Sequence, residues 1–448
     1  MVQAVGAGGE AAAPASEAYA RYALAVLTGV ALINFLDRQI IAILAEPIKR
    51  DMGLTDSQVG LTAGLSFALL YTTLGIPVAW LADRWNRPRI IAIAIAIWSA
   101  MTIVCGLAQN FTQLFLARVG VGVGEAGSGP ASHSLLSDLF PPAKRAGAFG
   151  WYGLGIPVGA FIAYAGGGWI VQNFSWREAF FLAGAPGLVI ALLVAFTVKE
   201  PRVGAAKPQH GQTLGAALRE LAAKPAYWNL AAAATLVAFV AYGFGSFYGA
   251  FFVRIHGMSY GELGLGLGAM VGLTGAFGAW SGGWVADRFR TKSVAATLWL
   301  PALALIAAAP LFAWGLVIDD KWAALALIAA PTFAATFYYG PTFATVQGLA
   351  KPQTRAMAVA IFIFISSLIG MGAGPVFAGA LSDAFTAAHM QANAGASFQA
   401  ACPAAGEACS AAEAAGIRRA ILILSLFNIW AAAHFWLAAR TLKRDLNE

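Results

Sequence analysis

Charged residues are scarce in this chain. They make up 11% of its 448 residues, against roughly 25% in a soluble globular domain, while 59% are hydrophobic. Mean hydropathy is +0.70. An ordinary soluble fold is thereby excluded, and a polytopic all-α membrane protein is implied. No alternating strand pattern of about ten residues recurs, which argues against an outer-membrane barrel. The first 18 residues hold no Lys or Arg. They lack the basic start of a signal peptide and read as a disordered tail, residues 1–20, ahead of an uncleaved first helix. No Walker loop and no nucleophile–base arrangement occurs, and His210, His256, His389 and His434 are scattered without metal-ligand spacing. No enzymatic activity, metal or cofactor is expected, nor direct drive by ATP. Only three cysteines are present. Cys105 lies in an apolar run as a small inert side chain. Cys402 and Cys409 share a long loop where an oxidising exterior would permit a structural disulfide.

What fills the chain is apolar sequence. A helical span needs about 20 such residues, and twelve runs qualify, beginning near Arg21, Ser57, Arg89, Thr112, Ala146, Glu178, Ala226, Gly261, Ser293, Trp322, Ala356 and Arg418. If both termini lie on one side, that side collects Arg21, Arg84, Arg87, Arg89, Lys144, Arg145, the basic residues from Lys199 to Lys224, Arg288, Arg290, Lys292, Lys351, Arg355, Arg440, Lys443 and Arg444. The other side holds Lys49, Arg50, Arg177, Arg254, Lys321, Arg418 and Arg419. Basic residues accumulate on the cytoplasmic side, so both termini are expected there. The net charge of +7 follows from that bias and gives no reason to invoke nucleic acid. Lean loops and short tails suggest a bacterial inner (plasma) membrane protein, expected as a monomer.

Four ionisable residues interrupt the apolar runs: Asp37 and Arg38 in the first, Arg118 and Glu125 in the fourth. A charge at mid-membrane costs a few kcal/mol or more, so such residues face a water-filled cavity or one another, and mark a path for solutes. Arg118 and Glu125 are two helical turns apart on one face, and Asn34 is one turn from Arg38. At ~1.5 Å per residue both arginines lie about 9 Å deep, with Glu125 about 20 Å deep beneath them. Burial raises a carboxyl pKa and a neighbouring arginine lowers it, which suits Glu125 to a proton switch. Arginine stays charged and grips phosphate or carboxylate in bidentate fashion. One expectation is that Glu125 and an anionic group compete for Arg38 and Arg118, with Asp37 meeting a cationic group or neutralising a neighbour. The other is a static ion network that fixes helix packing.

The chain also repeats itself. Trp80-Leu-Ala-Asp83-Arg84-Trp85-Asn86-Arg87 recurs as Trp284-Val-Ala-Asp287-Arg288-Phe289-Arg290-Thr291, each after the second span of six. Two six-helix bundles follow, residues 21–198 and 226–439, joined by a polar linker at 199–225 and ended by a tail at 440–448. Gly153, Gly155, Pro157 and Gly159 in span five are echoed by Gly370, Gly372, Gly374, Pro375 and Gly379 in span eleven. Small residues permit tight packing, and Pro or Gly permits a bend. Spans seven to twelve carry no embedded Lys, Arg, Asp or Glu. They offer Phe239, Tyr242, Phe244, Phe247 and Tyr248 in span seven, and Phe337, Tyr338 and Tyr339 in span ten. Of these, Phe239, Tyr242, Phe247, Phe337 and Tyr338 are candidates for a hydrophobic pocket, although lipid-facing aromatics are also common.

The Asp83-Arg84-x-x-Arg87 loop resembles the signature motif of the major facilitator superfamily, with Ala79 and Asn86 where that motif has glycines and Pro88 in place of a basic residue. Asn34-Phe-Leu-Asp37-Arg38-Gln39, Gly122-Val-Gly124-Glu125-Ala126 and Ser137-Asp138-Leu-Phe-Pro141 resemble its Spinster-like branch. The resemblance implies a twelve-helix, alternating-access transporter with its site between the two bundles. It also implies a cytoplasmic gate at Asp83, where the family aspartate locks helix ends, with Arg84, Arg87, Asp138, Arg145, Asp287 and Arg288 around it. Spinster-like proteins are associated with export of sphingosine-1-phosphate and lysophospholipids. The expected substrate is therefore an amphiphilic anion, moved with protons, and the alternative is a small organic or phosphorylated anion. A channel or a non-transporting receptor fits the duplication less well. Gly122-x-Gly124-x-x-Gly127 matches a dinucleotide fingerprint in letters only, since no strand precedes it; close helix contact explains its glycines better. His133, eight residues past Glu125, is either a relay or a packing residue.

Overall fold

The computed structural model describes residues 16–82, 84–201, 214–290, 293, 295–351, 354–394 and 406–447. Asp83, the side chain of Asp287, and Cys402 lie outside them. The first half comprises α1 (Glu17–Met52), α2 (Asp56–Ala82), α3 (Arg87–Leu107), α4 (Phe111–Glu125) with α5 (Ser128–Leu139), α6 (Pro142–Asn173) and α7 (Trp176–Thr197). The short α8 (Leu214–Ala222) leads into the second half. That half comprises α9 (Pro225–Gly245) with α10 (Tyr248–His256), α11 (Tyr260–Val285), α12 (Ala296–Gly315), α13 (Lys321–Phe337) with α14 (Tyr339–Leu349), α15 (Met357–Asn393) and α16 (Glu407–Asn447). Among the described residues eleven stretches are long and apolar enough to cross a membrane, and the α4–α5 pair makes the twelfth span. No strand occurs among the described residues.

The internal duplication is visible in how the helices break. The fourth span parts between Glu125 and Ser128, and the tenth parts at Tyr338. The second and eighth spans each hold a π-helical turn, at Leu61–Leu65 and Met270–Thr274, and the eleventh holds one at Ser366–Met371. Such turns shift helix phase and recur at functional sites. The paired glycines serve packing. A Cβ on Gly155 or Gly159 would run into the Thr28 and Leu32 carbonyls of α1, and one on Gly370 or Gly374 into the Thr235 and Phe239 carbonyls of α9. Span five thus presses on span one as span eleven presses on span seven.

Several boundaries differ from the sequence expectation. Helix α1 starts at Glu17 because Ser16 caps it, its Oγ accepting the Tyr19 N–H at 3.3 Å. Residues 440–447 continue α16 instead of forming a tail. Their helix is held because Asp445, fully buried, accepts the Ala226 N–H at 2.7 Å. In the linker, α8 docks on the second half. Ala217 and Leu221 are buried, and Glu220 accepts from the Lys351 N–H (2.8 Å) and the Thr354 hydroxyl (2.7 Å). Cys105 is buried and free, and Cys409 is disulfide-bonded.

The two halves meet mainly at the face opposite the termini. There α2 lies against α15, with Gly60 under the Pro375 carbonyl and Gly379 against the Asp56 carbonyl. In the same way α6 lies against α11 through Gly168 and Gly264. One buried apolar cluster runs through both halves at this face, including Ile43 and Leu44 of α1, Phe251 and Phe252 of α10 and Ala378 of α15. Toward the termini the second half keeps a separate cluster around Leu230, Leu298, Val346 and Phe435. The inter-half hydrogen bonds of Lys49, Asp56, Ser57, Arg254, Gly261 and Ser382 lie at the face opposite the termini. The halves are sealed at the face opposite the termini.

Candidate functional site

The four embedded charges of the first half fall into two groups. Adjacent helix residues point about 100° apart, so Asp37 and Arg38 cannot face the same way. Arg38 is half-buried on the inter-half side of α1, and Glu125 is fully buried at the end of α4. Glu125 Oε2 accepts Arg38 Nη2 at 2.7 Å and Nε at 3.3 Å. Asp37 turns the other way into α3, where its Oδ2 accepts the Thr102 hydroxyl at 3.2 Å. It is fully buried on that side of α1.

Arg118 is the unusual member. It is 1% exposed, its Nε and Nη1 have no hydrogen-bond partner, and among the described residues no carboxylate approaches within salt-bridge distance. Glu125 Oε1 and Asn34 Nδ2 have no partner at full hydrogen-bond distance, though the two side chains lie within interaction reach of each other. A buried guanidinium without direct pairing needs a favourable field. Asp37 and Glu125 supply one at longer range, and the Phe67 ring supplies another. The Phe67 centroid is 4.9 Å from the Arg38 guanidinium carbon and 5.6 Å from that of Arg118. Tyr71 and Phe35 complete the aromatic collar of Arg38, at 4.7 and 5.2 Å. Cation–π contacts are worth ~0.5–2 kcal/mol each, more when dry. One aromatic platform therefore serves both arginines.

Glycine makes this convergence possible. A Cβ on Gly122 would sit 2.6 Å from the Phe67 carbonyl oxygen, and one on Gly124 would meet the backbone of Trp98 at 2.5 Å. The dinucleotide-like glycine pattern thus brings α4 against α2 and α3, as expected from close helix contact.

Of the aromatic candidates in the second half, Tyr242 of α9 lies within electrostatic and hydrogen-bonding reach of Arg38. The others turn away. Phe239 packs with Phe377 and Phe427, Phe247 is buried at the α9–α10 junction, and Phe337 rests on Phe333. Tyr338 is buried against Phe435, while its stacked neighbour Tyr339 stays exposed and within electrostatic reach of Arg38. The break at Tyr338 resets helix phase, so the facing ring is one residue later than a continuous helix would place it.

At the terminus-bearing face, Arg87 is fully buried in the first half. It pairs with Glu200 just past α7, with Asp138 at 2.6 Å, and with the Ser134 hydroxyl at 3.1 Å. Glu200 was not foreseen. Arg84 rests on the Trp80 ring, Arg145 donates to the Phe140 carbonyl at 3.0 Å, and Arg288 is exposed. These contacts lie within one half.

A second ionic cluster, at the sealed face, does span the halves, and sequence reasoning passed over it. Arg254 of α10 counts among the basic residues of the side opposite the termini, yet its side chain is 3% exposed. Its Nη2 lies 2.7 Å from both Glu46 of α1 and Asp56 of α2, and those carboxylates are 1% exposed. Lys49 joins Asp56 (2.9 Å) and Glu413 of α16 (2.7 Å), and the Ser382 hydroxyl donates to Asp56 at 2.6 Å. Asp383 of α15 caps the start of α2 from the other half, accepting the Asp56 and Ser57 N–H groups at 2.9 and 2.8 Å. The expectation that spans seven to twelve bear no buried charge therefore fails at this end. An alternation of Glu46, Lys49 and Asp56 at the α1–α2 corner was the available signal.

Comparison with known proteins agrees with this arrangement. Residues 27–375 match the family model described as Major Facilitator Superfamily. An MFS-type efflux pump of Mycolicibacterium smegmatis is 31% identical over 95% of this chain and 94% of its own length. Protein spinster homolog 1 of Homo sapiens is 27% identical, with 80% of this chain and 72% of that protein aligned. The crystal structure of a bacterial homologue of the human lysosomal transporter Spinster, in an inward-facing and unoccupied conformation, superposes with a TM-score of 0.88 at 34% identity, covering 96% of this chain and 99% of that one. With a duplicated twelve-span fold and a cluster of buried charges in its first half, this chain belongs to the major facilitator superfamily and is a membrane transporter of its Spinster-like branch.

Proposed function

We propose that this chain is a proton-coupled secondary transporter that works by alternating access on an amphiphilic anion of the lysophospholipid or sphingoid-phosphate type. The observation that carries the reading is the buried Arg38–Glu125 pair beside Arg118, whose Nε and Nη1 are donors without a protein partner. Both guanidinium groups share the Phe67 platform, so one phosphate or carboxylate group can bridge them. Glu125 competes with that group for Arg38. Protonating Glu125 releases Arg38 and favours the anion; losing the anion returns Arg38 to a charged Glu125. Tyr242 and Tyr339 face this headgroup site from the second half, where little else is polar, and an apolar tail suits that side. The positive-inside bias makes the terminus-bearing face cytoplasmic, so the conformation described here opens inward. Arg84, Arg87, Asp138, Arg145 and Arg288, with Asp83 and Asp287, form the cytoplasmic gate that re-pairs when the halves close there. The chain acts as a monomer in a bacterial inner membrane.

Ligand-induced stabilisation tests the substrate class. A ligand that binds only the folded state stabilises it by ~2.7 kcal/mol at a hundredfold excess over Kd. In thermal unfolding of the detergent-purified protein, a lysophospholipid or sphingoid phosphate is expected to raise Tm by several degrees, and Arg118→Ala to remove most of that shift. An equal shift from a short-chain phosphate ester would favour a small-anion carrier. A lysolipid shift that survives Arg118→Ala would place the headgroup elsewhere.

A further inference from the structure

A groove on the flank of the second half has chemistry that the transport site does not use. It runs between α12 and α16 and has a volume of about 540 Å³, within the ~300–1,000 Å³ range of small-ligand sites. Buried Ala302 and Ala432 form its floor, and half-exposed Trp299 and Trp436 stand at one end, with Leu303 and Ala433 along its sides. That end is the terminus-bearing one, since α12 starts there at Ala296 and α16 finishes there at Asn447. One turn beyond Trp436, exposed Arg440 lays its guanidinium carbon 3.7 Å from the Trp436 ring centroid. Lys443 follows on the same helix, and Arg444 beyond it is paired with Asp445 at 3.0 Å. The groove is thus apolar along its length and cationic at its mouth, and none of its lining belongs to the Arg38–Glu125–Arg118 site.

We propose that this groove holds an anionic phospholipid of the surrounding bilayer, with an acyl chain lying over Ala302 and Ala432 and the phosphate on Arg440. Tryptophans are enriched at headgroup depth, and basic pockets between helices on the cytoplasmic side bind anionic headgroups. The ring of Trp436 holds the guanidinium flat at the mouth, which leaves its N–H edge free to grip a phosphate.

The test is lipid retention by the full-length protein. The protein is reconstituted with equal phosphatidylglycerol and phosphatidylcholine of matched chains, extracted in mild detergent, and weighed by native mass spectrometry. The wild type is expected to keep one phosphatidylglycerol in preference to phosphatidylcholine. Arg440→Gln should lower that preference about fivefold, equivalent to ~1 kcal/mol for one basic side chain at a membrane surface. Ala433→Trp, which fills the groove from an exposed position, should abolish retention. Arg419→Gln, at the far end of α16, and Arg118→Ala, in the transport site, should leave it unchanged. Equal retention of both lipids by the wild type would overturn the proposal, as would an unaltered preference in Arg440→Gln. Loss of the retained lipid in Arg118→Ala would mean that it had occupied the central site, and would overturn it too.

Discussion

Replacing Arg254 with alanine is expected to unlock the sealed face. Arg254 bridges two carboxylates, Glu46 and Asp56, that are 1% exposed and lie on helices of the other half. Removing one partner of a buried ion pair costs about 3–5 kcal/mol when the remaining charge is left uncompensated; here Arg50 stays on Glu46 at 3.0 Å and Lys49 on Asp56 at 2.9 Å, so the cost falls at the lower end of that range. The contact exists only while α1 and α2 lie against α10, so the whole of that cost falls on this conformation. A shift of that size changes the balance between the two access states by roughly two powers of ten. Paired spin labels at the ends of α2 and α15 on the sealed face should show a short distance in the wild type and a dominant longer one in Arg254→Ala. In Asp56→Asn, Arg254 keeps Glu46 and Lys49 keeps Glu413, each at 2.7 Å, so that variant alone should have a smaller effect. Neutralising Glu46 and Asp56 together with Arg254 should restore much of the short-distance population, since the penalty lies in the orphaned charges. A short distance that persists in Arg254→Ala would show that the glycine seams at Gly60, Gly168 and Gly379 close this face unaided.

Glu125→Gln is expected to uncouple transport from the proton gradient while leaving exchange. Glutamine keeps the shape and can still accept from Arg38, but it neither titrates nor neutralises a guanidinium. In vesicles, the wild type should accumulate or expel substrate when a pH difference is imposed. The variant should ignore the gradient, with at least a tenfold loss of gradient-driven flux, yet still exchange labelled for unlabelled substrate. A static packing role for the pair gives a different pattern: stability falls, and whatever flux remains keeps its pH dependence.

The fold was legible because membrane chemistry is strict. Twelve apolar runs, a repeated loop and a basic bias leave few alternatives, and no core packing had to be guessed. Arg38 and Glu125 stood out for the same reason, since a charge within such a run has few innocent explanations. Phe67 and Tyr71 did not stand out; an aromatic ring in an apolar helix offers no contrast until a guanidinium is placed over it. The direction of Asp37 was available from helix geometry alone, being about 100° from Arg38. Arg254 was missed because it lies near a span end, next to the left-handed turn at Gly257, where a solvated cation is the ordinary expectation. Its burial depends on Glu46 and Asp56 arriving from the other half, which is tertiary information. The phase break at Tyr338, which turns Tyr339 toward Arg38 in its stead, has no counterpart in the composition of span ten.

The central claim is that anion and carboxylate exchange places on Arg38. It is tested most directly by counting protons on binding. Deprived of Arg38 inside a buried site, the Glu125 carboxylate takes up a proton. Calorimetric titration of a lysophospholipid into the purified protein, in buffers of different ionisation enthalpy, should report uptake approaching one proton per ligand near neutral pH, and none for Glu125→Gln. Binding with no proton exchanged in the wild type, or the same uptake in Glu125→Gln, would contradict the account.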